Sequence, residues 1–292
     1  MKFIAILLFS LLSISVCISQ NWNGHFSYHN SIDTSTGNGK IFTASENAIY
    51  IYSTQDDQLN VITTIDGLSG DFISNIHYSP NFNKLIIGFE NGLIQIVDFN
   101  NDNILTIYDI IEKTTIPPNK KKINELTEVD NIIYIATDYG ISLYDLNSLE
   151  FGDSLFIGDG GTQQQVNQTI INDNFLYATL LDFGGIKRVS LDSDIINYQN
   201  WELIYPGDFN FILNLNDSFI FTNENNVFLS QNSTSTLVIS LPQPIKEITI
   251  NEGEIIITSE DKIFIYDTNF NLISSSIISS NFNTIFNSSI LY

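Results

Sequence analysis

Positively charged and thiol side chains are nearly missing from this sequence. Its 292 residues hold one cysteine, three histidines and a single arginine, Arg188, with 11 Lys+Arg set against 33 Asp+Glu. A net charge of −22 repels phosphate backbones, which argues against a nucleic-acid partner. One arginine cannot form the multi-armed carboxylate clamp of a sialidase-like site. G-x-S-x-G, H-E-x-x-H and phosphate-loop motifs are missing too. A carboxylate-pair glycosidase stays open, because among 33 acids some pair falls at a suitable separation. No later run approaches the roughly 18 apolar residues of a membrane-spanning helix.

The lone cysteine, Cys17, lies in MKFIAILLFSLLSISVCISQ. There Lys2 precedes an apolar run from Phe3 to Leu12 and then small residues, the pattern of a secretory signal. Cleavage after Ser19 makes residues 1–19 a signal peptide and Gln20 the new terminus. A lipidated Cys17 is the competing reading, opposed by Val16 standing where a lipoprotein signal wants a small residue. With Cys17 removed, disulfides, thiol catalysis and cysteine-ligated metal all drop out.

What the sequence has in abundance is one hairpin. KIFTASENAIYIY from Lys40, KLIIGFENGLIQIVD from Lys84 and IIYIATDYGISLYD from Ile132 are followed by weaker copies from Phe175, Phe219 and Glu254. Their second strands open at Ile49, Leu93, Ile141, Ile186, Val227 and Ile263, spaced 44, 48, 45, 41 and 36 residues apart. That is the period of a four-stranded propeller blade. β-branched and aromatic residues suit the strands, and Gly92, Gly140 and Gly185 suit turns that need positive φ. Elsewhere the turn holds Ala48, Asn226 or Lys262. Shorter apolar segments beginning at Ile73, Ile123, Val166, Phe209 and Ile245 fit the innermost strands. Pro117-Pro118 marks KTTIPPNKKK, 113–122, as a polar insertion outside strand or helix interiors. The expectation is an all-β propeller over residues 20–292 with about six to seven blades. FNTIFNSSILY, 282–292, reads as the start of a further, incomplete blade, as in a fragment of a longer protein.

DGLSGDFISNIHYSPNFNKLIIGFENGLIQIVD, 66–98, resembles the propeller repeats of sensor domains in two-component regulators. Together with NWNGHFSYHNSI from Asn21, NGKIFTASENAIYIY, TTIDGLSG and ATDYGISLYDL, it is similar to the N-terminal propellers of the PorZ family. These are cell-surface components of the type IX secretion system of Bacteroidota. The likeness is best from Asn21 to about Leu146 and thereafter fades to general blade character. It implies a non-enzymatic role at the outer membrane beside the PorU sortase, with PorV and PorQ, in handing anionic lipopolysaccharide to the sortase that attaches it to cargo. The alternatives are a ligand-sensing periplasmic propeller and, behind it, a carbohydrate-active enzyme.

Few individual residues stand out as site candidates. His25 and His29, four apart in a strand-like context, would lie about 13 Å from each other. They and His77 therefore read as ordinary polar histidines rather than zinc ligands. Asp192 and Asp267 open acidic clusters, but counting Asp267 as the first position of a loop, the sixth and twelfth hold Leu272 and Ile278 where a calcium loop needs Gly and Glu. A turn joining two strands is the better reading of Asp267. Calcium in the channel or a loop is left open and unlocated, and no other cofactor is expected. Lys120, Lys121 and Lys122 form the one concentrated basic run, a candidate for meeting an anionic sugar or partner and otherwise a solvated charge run.

Overall fold

A computed structural model describes residues 31–231 and 234–277. The signal segment, His25, His29 and residues 282–292 lie outside the described residues. Within them the chain forms six sheets, each a four-stranded antiparallel meander in which sequence neighbours pair. The inner strands are Asp33–Gly37, Ile73–Ser79, Ile123–Val129, Val166–Asn172, Phe211–Leu215 and Glu247–Asn251. The outer strands are Leu59–Ile62, Asn103–Ile107, Glu150–Leu155, Glu202–Tyr205, Thr234–Ser240 and Leu272–Ile277. Between them lie the six repeated hairpins. The fold is a six-bladed β-propeller.

The middle strands are continuous apolar runs because both faces of a blade are covered by its neighbours. In the second blade Lys84–Phe89 is buried after its first residue and Ile94–Asp98 is buried throughout. Outer strands are covered less, so exposed residues dominate them and a buried residue comes only near the C-terminal end. The turn glycines do more than supply positive φ. Gly140 has φ 149° and Gly185 φ 76°, and a Cβ on either would stand 2.2 Å from a carbonyl of its own outer strand, Leu155 O or Tyr205 O. Only glycine lets that strand pair so close to the turn.

Neighbouring blades share apolar clusters. Phe42 stacks on Tyr78 at 4.5 Å between blades one and two, over Ile51, Leu85 and Phe89. Ile86, Ile96, Ile123 and Ile133 fill the next seam. Tyr134, Leu176, Val189 and Trp201 occupy the third. Tyr177, Ile186, Phe219 and Phe221 pack the fourth, and Ile220, Val227, Ile255 and Ile257 the fifth. Among the described residues no such cluster joins blade six to blade one. The outer strand of blade six is exposed along its whole length, Ile277 at 79%.

Side chains help to anchor the linker between blades one and two. In Asp66-Gly67-Leu68-Ser69 the Asp66 carboxylate accepts from the Thr63 amide at 2.9 Å in a capping box. Gln95 accepts from the Ser69 amide at 2.8 Å and donates to Gly67 O at 3.1 Å. The 113–122 insertion follows one helical turn, Asp109–Glu112, and itself contains a single 3-10 turn, Pro118–Lys120.

Candidate functional site

Six residues occupy the same register position on the six inner strands. Asp33, Asn75, Glu125, Gln168, Phe211 and Glu247 each lie opposite Ala44, Gly88, Ala136, Thr179, Thr222 and Thr258 respectively. From this position a side chain crosses to the next blade and accepts its backbone amide. Asp33 accepts from Ile76 N at 2.8 Å, Glu125 from Thr169 N at 2.8 Å and Gln168 from Ile212 N at 2.9 Å. Inner strands at the centre of a propeller have one edge with no strand partner, and these acceptors satisfy part of it. Asn75 donates to Asp33 at 2.6 Å, and its own Oδ1 is buried without a partner. Phe211 has no acceptor, so its side chain cannot continue the belt.

Two belt carboxyls are strained electrostatically. Burial raises Glu125 to about 8, against hydrogen bonds from the Thr169 amide and Thr127, with the Asp33 charge raising it further. Burial likewise raises Asp33 to about 6, opposed by the amides of Ile76 and Thr34 and by His77. A neighbouring pair behaves oppositely. Burial would raise Glu128, but hydrogen bonds from His77 at 2.8 Å and Ser79 at 2.7 Å, with the His77 charge, hold it below its ordinary value. Glu125, Glu128 and His77 line a channel cavity of about 350 Å³ whose remaining walls include Ile170, Ile212 and Leu213. Its polar groups spend their hydrogen bonds on the scaffold: Thr127 Oγ1, 3.2 Å from Glu125 Oε2, also lies 2.9 Å from Thr169 O in the next blade.

The three candidate lysines do not form one patch. Lys120 and Lys122 are exposed, whereas Lys121 is buried and its ammonium donates to Ile111 O at the end of the preceding helical turn. Asp267 closes the turn between two strands, accepting from the amides of Asn269 and Asn271. Asp194 accepts from Ile196 N in a loop, and Asp192 accepts from Asn174. Among the described residues no three His, Cys, Asp or Glu side chains converge in a metal-binding group.

A second concavity was not foreseen. Between blades four and five, on the side of the turns at Asn172-Asp173 and Asn216-Asp217, a cleft of about 410 Å³ opens. Arg188 lies in it, its guanidinium 4.7 Å from the Phe175 ring centroid and both Nε and Nη2 3.0 Å from Glu202 Oε2. Below, Tyr177 packs on Phe219 at 4.6 Å. The register of the outer strand shifts here between Ile186 and Lys187, and only four residues, Glu202–Tyr205, complete the blade. Arg188 was conspicuous as the sole arginine, but nothing in the sequence placed Glu202 beside it.

Fold and site together define a class, a β-propeller whose channel polar groups knit blades together and whose free surface lies in loops and seams. The chain belongs to the family of PorZ N-terminal β-propeller domains of type IX secretion, whose family model matches residues 41–202. Among solved structures it is similar to PorZ, an essential bacterial surface component of the type-IX secretion system of Porphyromonas gingivalis. That match has a TM-score of 0.73 at 17% identity and covers 88% of this chain and 34% of the other. The chain thus spans about a third of that protein's length. A chain in the crystal structure of the mitotic checkpoint complex shares the fold at TM-score 0.66 and 10% identity, with 86% and 78% of the two chains covered. A search of curated proteins finds no significant match. No helix among the described residues is long and apolar enough to cross a membrane.

Proposed function

We infer that this propeller is a non-enzymatic interaction module of an exported, PorZ-like protein at the outer membrane. It assists the sortase complex in attaching anionic lipopolysaccharide to secreted cargo. The observation that carries the reading is the family match over 41–202. The channel supports it, because its polar side chains are engaged in bracing neighbouring strands. Contacts then fall to the loops, where Lys120 and Lys122 are exposed cations on an otherwise acidic chain.

Deleting the gene tests the reading. Cargo should accumulate unprocessed and unattached to the surface, and wild-type processing in the deletion strain would sink the secretion role. Charge reversal at Lys120 and Lys122 should reproduce part of the defect; normal attachment in that variant would dispose of the lysines alone. The inter-blade cleft favours a second reading, a ligand-sensing propeller, for which the deletion would alter a transcriptional response and leave cargo untouched.

A further inference from the structure

We propose that the cleft between blades four and five is a binding site for an organic cation with an apolar stem, an alkylammonium or alkylguanidinium group. The inference stands apart from the secretion reading. At about 410 Å³ the cleft has the size of small-ligand sites, which run from roughly 300 to 1,000 Å³. Its lining is mostly polar, with Phe175 and Tyr205 partly open over a buried aromatic floor of Tyr177 and Phe219. Leu203 adds an aliphatic shelf, 49% exposed.

The cleft already accommodates one cation of this chemistry. Arg188 rests its guanidinium on Phe175 while Glu202 takes its charge, and its own side chain is only 22% exposed. Arg188 is therefore spent: one face is covered by the ring, and Nε and Nη2 point at Glu202. Glu202 accepts from Arg188 through Oε2 and its side chain is 62% exposed, so Oε1 is left to meet a ligand. Asp173 and Asp217, both exposed on the turns, complete the lining and make no hydrogen bond or ion pair. The surplus charge of the cleft is negative, and among its polar walls the rings and the Leu203 shelf are the apolar surface. An anion would meet three carboxylates and an occupied arginine. A cation with an alkyl stem can lay the stem on Leu203 and Tyr205 and bring its head to Asp173, Asp217 and the free oxygen of Glu202.

The same head group could come from a lysine or arginine side chain of a protein or from a free polyamine. Titrating the full chain with butylammonium, observed by NMR, should give saturable shifts at Leu203 and Tyr205, while 1-butanol, equal in shape and uncharged, should give none. Replacing both acids, D173N with D217N, should weaken butylammonium about tenfold, the scale of two partly exposed ion pairs. Asp173 has φ 46°, which asparagine also adopts, so the variant should fold. D217N alone with a salt titration gives an independent readout. Tighter binding of a lysine-bearing peptide than of spermidine would support a protein segment as occupant, and the reverse would support a polyamine. Equal binding of butanol, indifference to D173N and D217N, or preference for acetate or a neutral saccharide would overturn the proposal.

Discussion

At the scale of single residues, Glu125 is the costliest choice in the belt. In the folded chain it keeps its proton up to about pH 8, whereas unfolded it ionises near 4.5. The native state therefore binds more protons through that window, and stability falls as pH rises across it. Asp33 contributes in the same sense between 3.8 and about 6. Blade four shows what replaces the acid: Gln168 makes the equivalent bond without a charge. Glu125→Gln should raise stability at pH 8 by on the order of 2 kcal/mol and change little at pH 4. Urea unfolding at the two pH values checks this, and an unchanged pH slope would refute the assignment. The lysines make a second case. Lys121→Glu buries an acid beside the Ile111 carbonyl and should cost about 3 kcal/mol, whereas the same change at exposed Lys120 or Lys122 should stay within about 0.5. Melting curves of the three variants decide it. A run of three lysines reads in sequence as one patch because composition carries no direction. The belt was illegible for a related reason: Asp33, Asn75, Glu125, Gln168 and Glu247 share an acceptor oxygen but differ in length and charge, and Phe211 interrupts the series. Their bonds to neighbouring blades, 43, 44 and 44 residues away, repeat at the hairpin period and could have exposed them.

At the scale of elements, the six hairpins were legible because apolar runs around a turn are what two-sided burial requires. All three turn glycines take positive φ as their places in the repeat imply. Inner strands were placed less well. The fifth and sixth begin at Phe211 and Glu247, two residues after the apolar starts at Phe209 and Ile245. Both earlier residues are buried in linkers, Phe209 edge-on to Phe221 at 5.0 Å and Ile245 with its amide on Glu224 O. Burial without pairing looks like a strand in sequence. Gly88 shows how tightly blades approach. Its φ is ordinary, yet a Cβ would stand 2.6 Å from Ile123 Cγ2 in the next inner strand, and the matching positions in blades one and three hold Ala44 and Ala136. Gly88→Val should therefore destabilise by about 2–3 kcal/mol through overpacking of the second seam. A chemical-denaturation midpoint equal to wild type would show that the seam has slack.

At the scale of the molecule, a net charge of −22 on one folded chain sets acid against acid across the surface. Screening should help: the melting temperature is expected to rise by several degrees between 0.02 and 0.5 M sodium chloride, with ranges set by the Debye length of about 10 Å at 0.1 M. A fall would mean that ion pairs such as Arg188–Glu202 outweigh the repulsion. Stability should also be uneven around the ring. Blades two to five have apolar clusters on both sides, while the outer strand Leu272–Ile277 is exposed at every residue. Hydrogen exchange should be slowest in Leu85–Ile87 and Ile133–Ile135 and fastest in that outer strand. Uniform protection would contradict the gradient.

The belt bonds have one more consequence, for the order of events during synthesis. Each fastener joins a residue to an amide only 43 or 44 positions later, so a blade is secured as soon as the first strand of its successor exists. Closing such short loops costs little entropy compared with joining chain ends. The chain can thus ratchet toward its native state from the N-terminus, with blades one, three and four each locked by the inner strand that follows. Nascent chains stalled with Glu247–Asn251 clear of the ribosome should already resist protease through blade four, and chains stalled before Phe211–Leu215 should leave that blade open to cleavage.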